Sequence, residues 1–475
     1  MRILLSVAAC LVAAPALAQW EPDIRLTEND SASSVSIVAA RALAAEGDFI
    51  HAVWHDDCDQ YPEVRVFYAR SSDRGLTWSS AAALPEDTTG SAEASVAVAG
   101  GRVHVVWLGT SGGLPVLFYK SSSDSGATWS GDRWLTGNAQ FYSTPCLAVS
   151  GPTLHLVWTG GTYDTMRVLH KRSPDCGVSW GPDIVVSTND SGAAYGSVCA
   201  EDSLVHVAWS GLVADNRSEA FYRRSTDRGL TWQPTVQLTG GSVGTSSVLP
   251  QVAASGELVH IACIIRPVDK HEAVYLRSPD RGQSWGAAHR MFSTPGEDVG
   301  RATVVADDGT VHFAATLVDS GPTRVHYQLS TDGGLQWEVS GRLSDTGPAD
   351  KVSLALAGNA VYALWRDSRD GNQEVYFKRN PTGNPGIAEE GRTPDAGRLP
   401  PRATIVRGVL NLPRDMTGFG PAKSDRVPRP ALLDASGRRV MELQPGANDV
   451  SRLAPGVYFI RAGNAPPLRR VLLVR

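Results

Sequence analysis

The sequence predicts an all-β protein: a seven-bladed β-propeller followed by a small β-sandwich. Three observations carry this prediction. An eight-residue phrase occurs six times with its aspartates 51 to 53 residues apart, and such a fixed period indicates stacked supersecondary units. A strand pattern built around His and Trp occurs seven times, and the segment that begins at Trp20 repeats the one that follows the third phrase.

The repeated phrase reads Ser-x-Asp-x-Gly-x-Thr/Ser-Trp, as in SSDRGLTW from Ser71 to Trp78, and only Gln336 departs from it at the seventh position. Asp and Ser side chains bond nearby backbone amides, Gly accepts a positive φ, and Trp supplies an apolar anchor. The phrase is the Asp-box, and the chain resembles the Asp-box (BNR-repeat) sialidase-like propeller proteins. In that family the box lies on the hairpin between the third and fourth strands, which implies a structural role for Asp73, Asp124, Asp175, Asp227, Asp280 and Asp332.

The second strand of each repeat gives the blade number. Its pattern, FIHAVW from Phe49 to Trp54 in the first repeat, occurs seven times, although two copies lose the Trp and the last has Tyr362 in place of His. Equivalent positions in successive blades are spread around a ring, so we expect a packing or hydrogen-bonding role, and not one metal site, for His51, His104, His155, His206, His260 and His312.

The N-terminal segment predicts how the ring closes. The seventh repeat stops at Arg379 without a box or a fourth strand, whereas WEPDIRLTENDSAS from Trp20 to Ser33 reads like WGPDIVVSTNDSGA from Trp180 to Ala193. The N-terminal strand should therefore be the fourth strand of the last blade. This closure would leave no long unpaired edge.

The start of the chain predicts export. Residues 1–18 combine one Arg, an apolar run and an Ala-Leu-Ala ending, which is typical of a cleaved secretory signal; VAAC from Val7 to Cys10 is an alternative lipoprotein box. No later run is long enough to span a bilayer. Five cysteines follow the signal, and Cys146 and Cys199 could form a disulfide across adjacent blades.

The propeller is expected over residues 19–380, a Pro- and Gly-rich linker over 381–402 and a second domain over 403–475. Residues 399–475 hold 13 Lys and Arg against 5 Asp and Glu, without the interleaved aromatics of a nucleic-acid surface. LDASGRRV, LAPGVYFIR and the closing RRVLLVR resemble the type A C-terminal sorting domain of the type IX secretion system. The resemblance implies export machinery as a partner; the alternative is an immunoglobulin-like stalk.

Function is sought on the face formed by the loops between second and third strands, because function resides in sites and not in folds. Loops one and seven carry acids at the same offsets from their tryptophans, two, five and nine residues on. Such carboxylates could bind Ca²⁺, act as an acid/base pair or cap turns. The candidate ligand-binding residues are Asp56, Asp59, Glu63, Tyr163, Arg217, Arg266, Arg366, Asp367, Arg369, Asp370 and Glu374.

Sialidase activity is not expected. The family's first arginine belongs to a Phe/Tyr-Arg-Ile-Pro motif upstream of the first box, and none of Arg25, Arg41, Arg65 and Arg70 is followed by Ile-Pro. The sequence therefore favours an exported propeller that binds glycans or proteins without catalysis and without a required cofactor. The alternative is a divergent glycoside hydrolase that uses a carboxylate pair on the same face.

Overall fold

A computed structural model describes most of the chain between Trp20 and Leu473. The described residues are 20–28, 32–36, 41–56, 64–86, 89–136, 141–162, 165–188, 192–213, 217–240, 246–266, 271–292, 298–318, 321–338, 341–345 and 347–382, then 404–406, 409–412, 431–433, 439–442, 446–449, 453, 456–461 and 469–473. The chain divides into two units, Met1–Glu389 and Glu390–Arg475.

The first unit is a seven-bladed β-propeller, as predicted, with seven antiparallel sheets. In chain order, the strands up to residue 185 are β1 (Ile24–Arg25), β2 (Ser33–Ser34), β3 (Leu43–Glu46), β4 (Phe49–Asp56), β5 (Arg65–Ser71), β6 (Ala82–Ala83), β7 (Thr89–Ala99), β8 (Arg102–Ser111), β9 (Leu114–Ser122), β10 (Arg133–Trp134), β11 (Phe141–Ser150), β12 (Thr153–Gly161), β13 (Arg167–Ser173) and β14 (Ile184–Val185). The remaining strands are β15 (Ala194–Glu201), β16 (Leu204–Leu212), β17 (Ser218–Ser225), β18 (Val236–Gln237), β19 (Ser246–Ser255), β20 (Leu258–Arg266), β21 (Glu272–Ser278), β22 (His289–Arg290), β23 (Asp298–Asp307), β24 (Thr310–Val318), β25 (Arg324–Ser330), β26 (Gly341–Arg342), β27 (Ala349–Ala357), β28 (Ala360–Asp367) and β29 (Glu374–Asn380).

Blades two to six each use four consecutive strands, from β7–β10 to β23–β26, whereas blade one splits its innermost strand into β2 and β3. Blade seven has the order β1-β29-β28-β27, with Ile24 opposite Phe377 and Arg25 opposite Tyr376. The predicted closure by the N-terminal strand is therefore confirmed, and we call residues 20–28 the clasp.

Each box is a hairpin between the third and fourth strands of its blade, held by a small hydrogen-bond network. In the first box the Ser71 hydroxyl donates to Asp73 (2.7 Å), the Gly75 amide donates to Ser71 (2.8 Å) and the Thr77 hydroxyl donates to Asp73 (2.6 Å). Hydrogen bonds from Thr77 and Ser71 lower the pKa of Asp73 to about 2. All six boxes share the bonds from the Ser hydroxyl and from the Gly amide.

Neighbouring blades are joined by a repeated contact that we call the blade lock. His51 Nδ1 lies 2.7 Å from the Tyr68 hydroxyl oxygen, and the Tyr68 ring meets Trp129 from the next box edge-on at 4.8 Å. A methyl group on Gly126 would overlap the Tyr68 hydroxyl, so only glycine fits there. The lock recurs with changes of residue, and Trp20 of the clasp meets Tyr327 at 5.2 Å, where a seventh box would have supplied its Trp.

The repeated histidines are buried and hydrogen bonded within this lock, with the packing role that was predicted. Tyrosine is the partner of five of them, whereas His155 pairs with His170. Burial lowers the pKa of His206 to about 4. These imidazoles are therefore neutral at physiological pH.

The second unit contains β30 (Thr404–Val406), β31 (Val409–Leu412), β32 (Ala431–Leu433), β33 (Arg439–Glu442), β34 (Gly446–Asp449), β35 (Gly456–Arg461) and β36 (Arg469–Leu473). Five of them form one sheet in the order β30-β36-β35-β32-β33, and β31 pairs with β34. The strands predicted around residues 430–443 and 456–475 are present. The β-sandwich itself stays a prediction.

The other predictions for the first unit concern cysteines and membranes. Cys146, Cys176, Cys199 and Cys263 are free thiols, so the disulfide considered between Cys146 and Cys199 does not form; Cys58 lies outside the described residues. Within the described ranges no helix is long and apolar enough to cross a membrane.

Candidate functional site at the channel mouth

The innermost strands of five blades carry a β-bulge at one shared position. Glu93, Thr144, Tyr195, Leu249 and Lys351 all have φ between 54° and 60° there, a left-handed conformation that is uncommon for these residue types. The ladder also shifts register after Val299 in blade six, where Arg301 holds the equivalent place. Bulges next to functional sites aim side chains. We call this ring of six residues the channel mouth.

The residues of the mouth differ sharply between blades. Glu93, Arg301 and Lys351 are charged and half-buried, whereas Thr144, Tyr195 and Leu249 are neutral. In blades four and five the bulge amides are held by the second strand of the preceding blade: the amides of Tyr195 and Leu249 donate to the hydroxyls of Thr159 and Ser210 at 3.1 and 3.0 Å. Tyr195 is 37% exposed, so its ring faces solvent beside the charged residues.

Lys351 and Arg301 are the central cations of the mouth. Lys351 Nζ donates to the Ser34 hydroxyl (2.7 Å), and Ser36 donates to Glu93 (2.5 Å). Burial, then the positive charges of Arg366 and Arg301, lower the pKa of Lys351 to about 8. Burial also lowers the pKa of Arg301, whose Nη1 is buried without a hydrogen-bond partner among the described residues. Both cations therefore lack full compensation.

Two residues that follow the second-strand tryptophans complete the charged side. Arg366 forms two hydrogen bonds with Asp350, at 2.7 and 2.5 Å, and donates to Gln373 at 2.8 Å. In blade one the equivalent residue is His55; burial, then Lys351 and Arg366, lower its pKa to about 4. His55 Nδ1 is buried with no hydrogen-bond partner among the described residues. A neutral imidazole thus stands close to two cations, Lys351 and Arg366.

Four of the residues predicted in loop seven lie at the clasp instead: Asp367, Arg369, Asp370 and Glu374. Glu374 is fully buried and accepts hydrogen bonds from Arg25 (2.7 Å) and Thr27. Asp367 is also fully buried, and it accepts hydrogen bonds from Arg369 (2.6 Å) and Trp365 (3.1 Å).

Arg369 and Asp370 complete this clasp network. Arg369 reaches Asp23 at 2.6 Å and stacks over the Tyr376 ring at 4.3 Å from its centroid. Asp370 accepts from Arg25 at 3.2 Å and from the Tyr376 hydroxyl. The charges of loop seven are therefore paired largely with the N-terminal segment.

The other predicted site residues are scattered. Asp56 is buried at the end of β4 and accepts a hydrogen bond from Ser33 at 3.1 Å. Arg217 contacts Glu219 (3.3 Å), and Arg266 is exposed at the end of β20. Asp59, Glu63 and Tyr163 lie outside the described residues. Among the predicted residues that the structure describes, Arg366 lies close enough to the mouth for its charge to act on Lys351 and Arg301.

The mouth residues were missed by the sequence analysis, although a signal existed. Glu93, Thr144, Tyr195, Leu249, Arg301 and Lys351 each precede the repeated second-strand His, or Tyr362, by eleven residues. An alignment of the repeats on these histidines shows one position whose charge varies from blade to blade, and that position could have identified them.

No metal centre is evident in the part of the chain that the structure describes, where no group of three or more His, Cys, Asp or Glu side chains could hold an ion. The calcium hypothesis partly concerns Asp59 and Glu63, which lie outside the described ranges. It stays a prediction.

Comparison with known proteins establishes the architecture. No family model and no curated protein matches the chain. A polysaccharide lyase of family PL25, an ulvan lyase bound to -[GlcA(1-4)Rha3S]-, superposes with a TM-score of 0.56 and 10% identity over 75% of this chain and 95% of that one. Polysaccharide lyase Uly1 gives a TM-score of 0.50 and 10% identity over 77% of this chain and 100% of that one.

A Trypanosoma rangeli sialidase is also similar, with a TM-score of 0.43 and 16% identity over 60% of this chain and 54% of that one. The chain is thus a seven-bladed β-propeller with structural neighbours among polysaccharide lyases and sialidases. At these identities the likeness shows the fold alone.

Proposed function

We propose that this protein is an exported glycan-binding propeller whose channel mouth receives an acidic sugar. The observation that carries the proposal is the set of incompletely compensated cations Arg301 and Lys351, with Arg366 beside them. Arginine and lysine are the side chains that recognise carboxylates and sulfates, and Tyr195 offers a ring face to a sugar. The neighbouring lyase that is bound to a glucuronate-containing fragment supports a glycan ligand without naming this one.

Binding is favoured over hydrolysis by the state of the carboxylates. A glycoside hydrolase needs two carboxyl groups on either side of the scissile bond. Asp367 and Glu374 are fully buried and hydrogen bonded, and Asp350 is paired with Arg366. The hydrolase alternative would have to use other acids, and we expect no release of sialic acid from a fluorogenic sialoside. Turnover that survives repurification would contradict this expectation.

A second candidate activity is glycan cleavage by proton abstraction beside a carboxylate. The neutral His55 with its unpartnered Nδ1 is a group that could accept a proton, and Lys351, with a pKa of about 8, is another. Incubating the protein with glucuronate-containing polysaccharides and following the ultraviolet absorbance of an unsaturated product would detect it. If no unsaturated product forms while the protein still binds the polysaccharide, the cleavage candidate is refuted and the binding function stands.

The test of the proposal is a glycan array with the full chain and two variants. The double variant Arg301→Gln/Lys351→Met should lose binding to acidic glycans, because it removes two of the three cations. Leu249→Met changes the same ring at a neutral position with nearly conserved volume and should bind as the wild type does. Equal binding by all three proteins would refute the site.

We also propose export through the signal at residues 1–18 and, by resemblance, through residues 403–475. A chain ending at residue 389 should fold and stay in the periplasm, whereas the full chain should reach the outside in a host with type IX machinery. Fractionation of cells that express each form measures this. Equal extracellular amounts would indicate a stalk and not an export signal.

A further inference from the structure

The central channel below the mouth holds a charge that the glycan proposal does not use. A cavity of about 270 Å³ runs between the innermost strands of all seven blades. Its lining is mostly Ala, Val and Leu, with Ser197, Gln251 and the buried thiol of Cys199 as polar groups. Arg41 is its one charged lining residue, and no described acid lines the cavity beside it.

Arg41 occupies an unusual position in its blade. It immediately precedes β3, and its carbonyl oxygen accepts a hydrogen bond from the Val96 amide (2.9 Å), which fixes the backbone against blade two. The register of β3 and β7 places Arg41 at the repeat position of Ala94 and Ala302. A long cation thus stands where the repeat elsewhere has small residues.

The Arg41 guanidinium is half-buried and has neither a hydrogen bond nor an ion pair with any described residue. Burial raises the pKa of Cys199 to about 12, while the charge of Arg41 acts on this thiol in the opposite direction. Because Cys199 belongs to blade four, the charge of Arg41 is felt across the channel from blade one. Partial burial of an uncompensated cation is costly unless a counter-charge binds.

We propose that Arg41 and the polar groups around it form an anion site inside the central channel, for a compact oxyanion of the sulfate or carboxylate type. The planar guanidinium donates in pairs to such groups, and Gln251 and Ser197 stand in the same lining. The cavity far exceeds the volume of roughly 30 Å³ that one water occupies in the liquid, so it has room for a tetrahedral anion or the acidic end of a sugar.

Calorimetric titration of the full chain tests this site, with inorganic sulfate as one probe and glucuronate as the other. The wild type should bind one anion per chain at a site that the Arg301→Gln/Lys351→Met variant, which lacks two mouth cations, retains. Arg41→Gln should weaken binding at that site at least tenfold. Arg102→Gln is the matched control, because Arg102 is exposed at the start of β8, away from the channel lining, and its removal should change nothing. Sulfate binding that requires Arg41 indicates a free anion, whereas glucuronate binding alone that requires Arg41 indicates a sugar carboxylate.

Binding of neither probe, or equal binding by wild type and Arg41→Gln, would overturn the proposal. Arg41→Gln should fold, because it removes an unpaired charge and adds no volume. If it does not fold, Arg41→Lys keeps the charge but loses the two-pronged geometry and should bind more weakly than the wild type. The proposed glycan function is separable, because Arg301→Gln/Lys351→Met should retain sulfate binding, and Arg41→Gln should retain binding on the glycan array.

Discussion

The blade lock and the channel mouth lie in the same repeats but differ in how far their side chains are repeated from blade to blade. The lock repeats the same chemistry around the ring, with His, Tyr and the box Gly and Trp, and it is buried and hydrogen bonded. The mouth holds a different side chain in each of six blades, and five of these residues have a backbone conformation that costs energy for residues other than glycine. Uniformity thus marks what holds the ring together, and variation marks the proposed binding site.

Deletion of the clasp should have the largest effect on stability, because the clasp supplies the Trp of the seventh lock. Deleting residues 20–30 removes the β1 pairing with β29, the Trp20 contact with Tyr327 and the Arg25 pair with Glu374. We expect aggregation or a large fall in melting temperature, since β29 becomes an open edge. Deleting only residues 1–19 is the control and should leave the melting curve unchanged. An unaltered curve for the longer deletion would show that the ring closes without the clasp.

A pair of glycines tests the lock itself. Gly126→Ala puts a methyl group against the Tyr68 hydroxyl at φ +80°, and should lower the free energy of unfolding by about 3 kcal/mol or more, from strain and overpacking. Gly151→Ala, at φ +55° with nothing within 4 Å, should cost only about 1 to 2 kcal/mol. Chemical denaturation of both variants measures the difference. Equal losses would mean that the hydroxyl moves aside at no cost.

Acid should weaken the boxes, because their aspartates are hydrogen bonded in the charged form. Hydrogen bonds from Ser284 and Ser278 lower the pKa of Asp280 to about 2, from 3.8. A lowered carboxyl pKa in the folded state adds stability above about pH 4, which is lost as the pH falls toward 2. Asp280→Asn should therefore show a smaller drop in denaturation midpoint between pH 5 and pH 3 than the wild type. Parallel drops would argue that the other carboxylates dominate.

The last test concerns Lys351 at the mouth. Its pKa is about 8 in the folded state against 10.5 ordinarily, so the unfolded chain binds more protons between these values and stability rises with pH there. Lys351→Met should lose that rise and should be at least as stable as the wild type at pH 7. Thermal melts from pH 7 to pH 10 compare the two proteins. A variant that is less stable at pH 7 would assign Lys351 a structural role.

The fold was predictable because its signals are local and repeated. The boxes, the His and Trp pattern of the second strands and the echo between Trp20 and Trp180 led to seven blades and to the clasp, since each places an apolar anchor at a fixed spacing. Glu374 and Asp367 were expected on the functional face. Glu374 instead meets Arg25 of the clasp, and Asp367 meets Arg369 of its own loop, which is in turn paired with Asp23 of the clasp.

The mouth was harder to predict from the sequence, because its members share a position in the repeat and not a residue type. Arg301 and Lys351 come together only through the rotation that relates the blades, which no short motif encodes. The offset of eleven residues was visible in the sequence, but the bulge near this position follows from the register of the innermost strands.

The clasp also dictates the order in which the molecule can be completed. Ile24 is among the first propeller residues to leave the ribosome, yet its partner Phe377 is made about 350 residues later. Closing a loop of that length costs about 3 kcal/mol more in chain entropy than closing a ten-residue hairpin. During synthesis, six blades can form one after another while the seventh waits for its oldest strand. The newest part of the propeller thus becomes stable only when the oldest part returns to it.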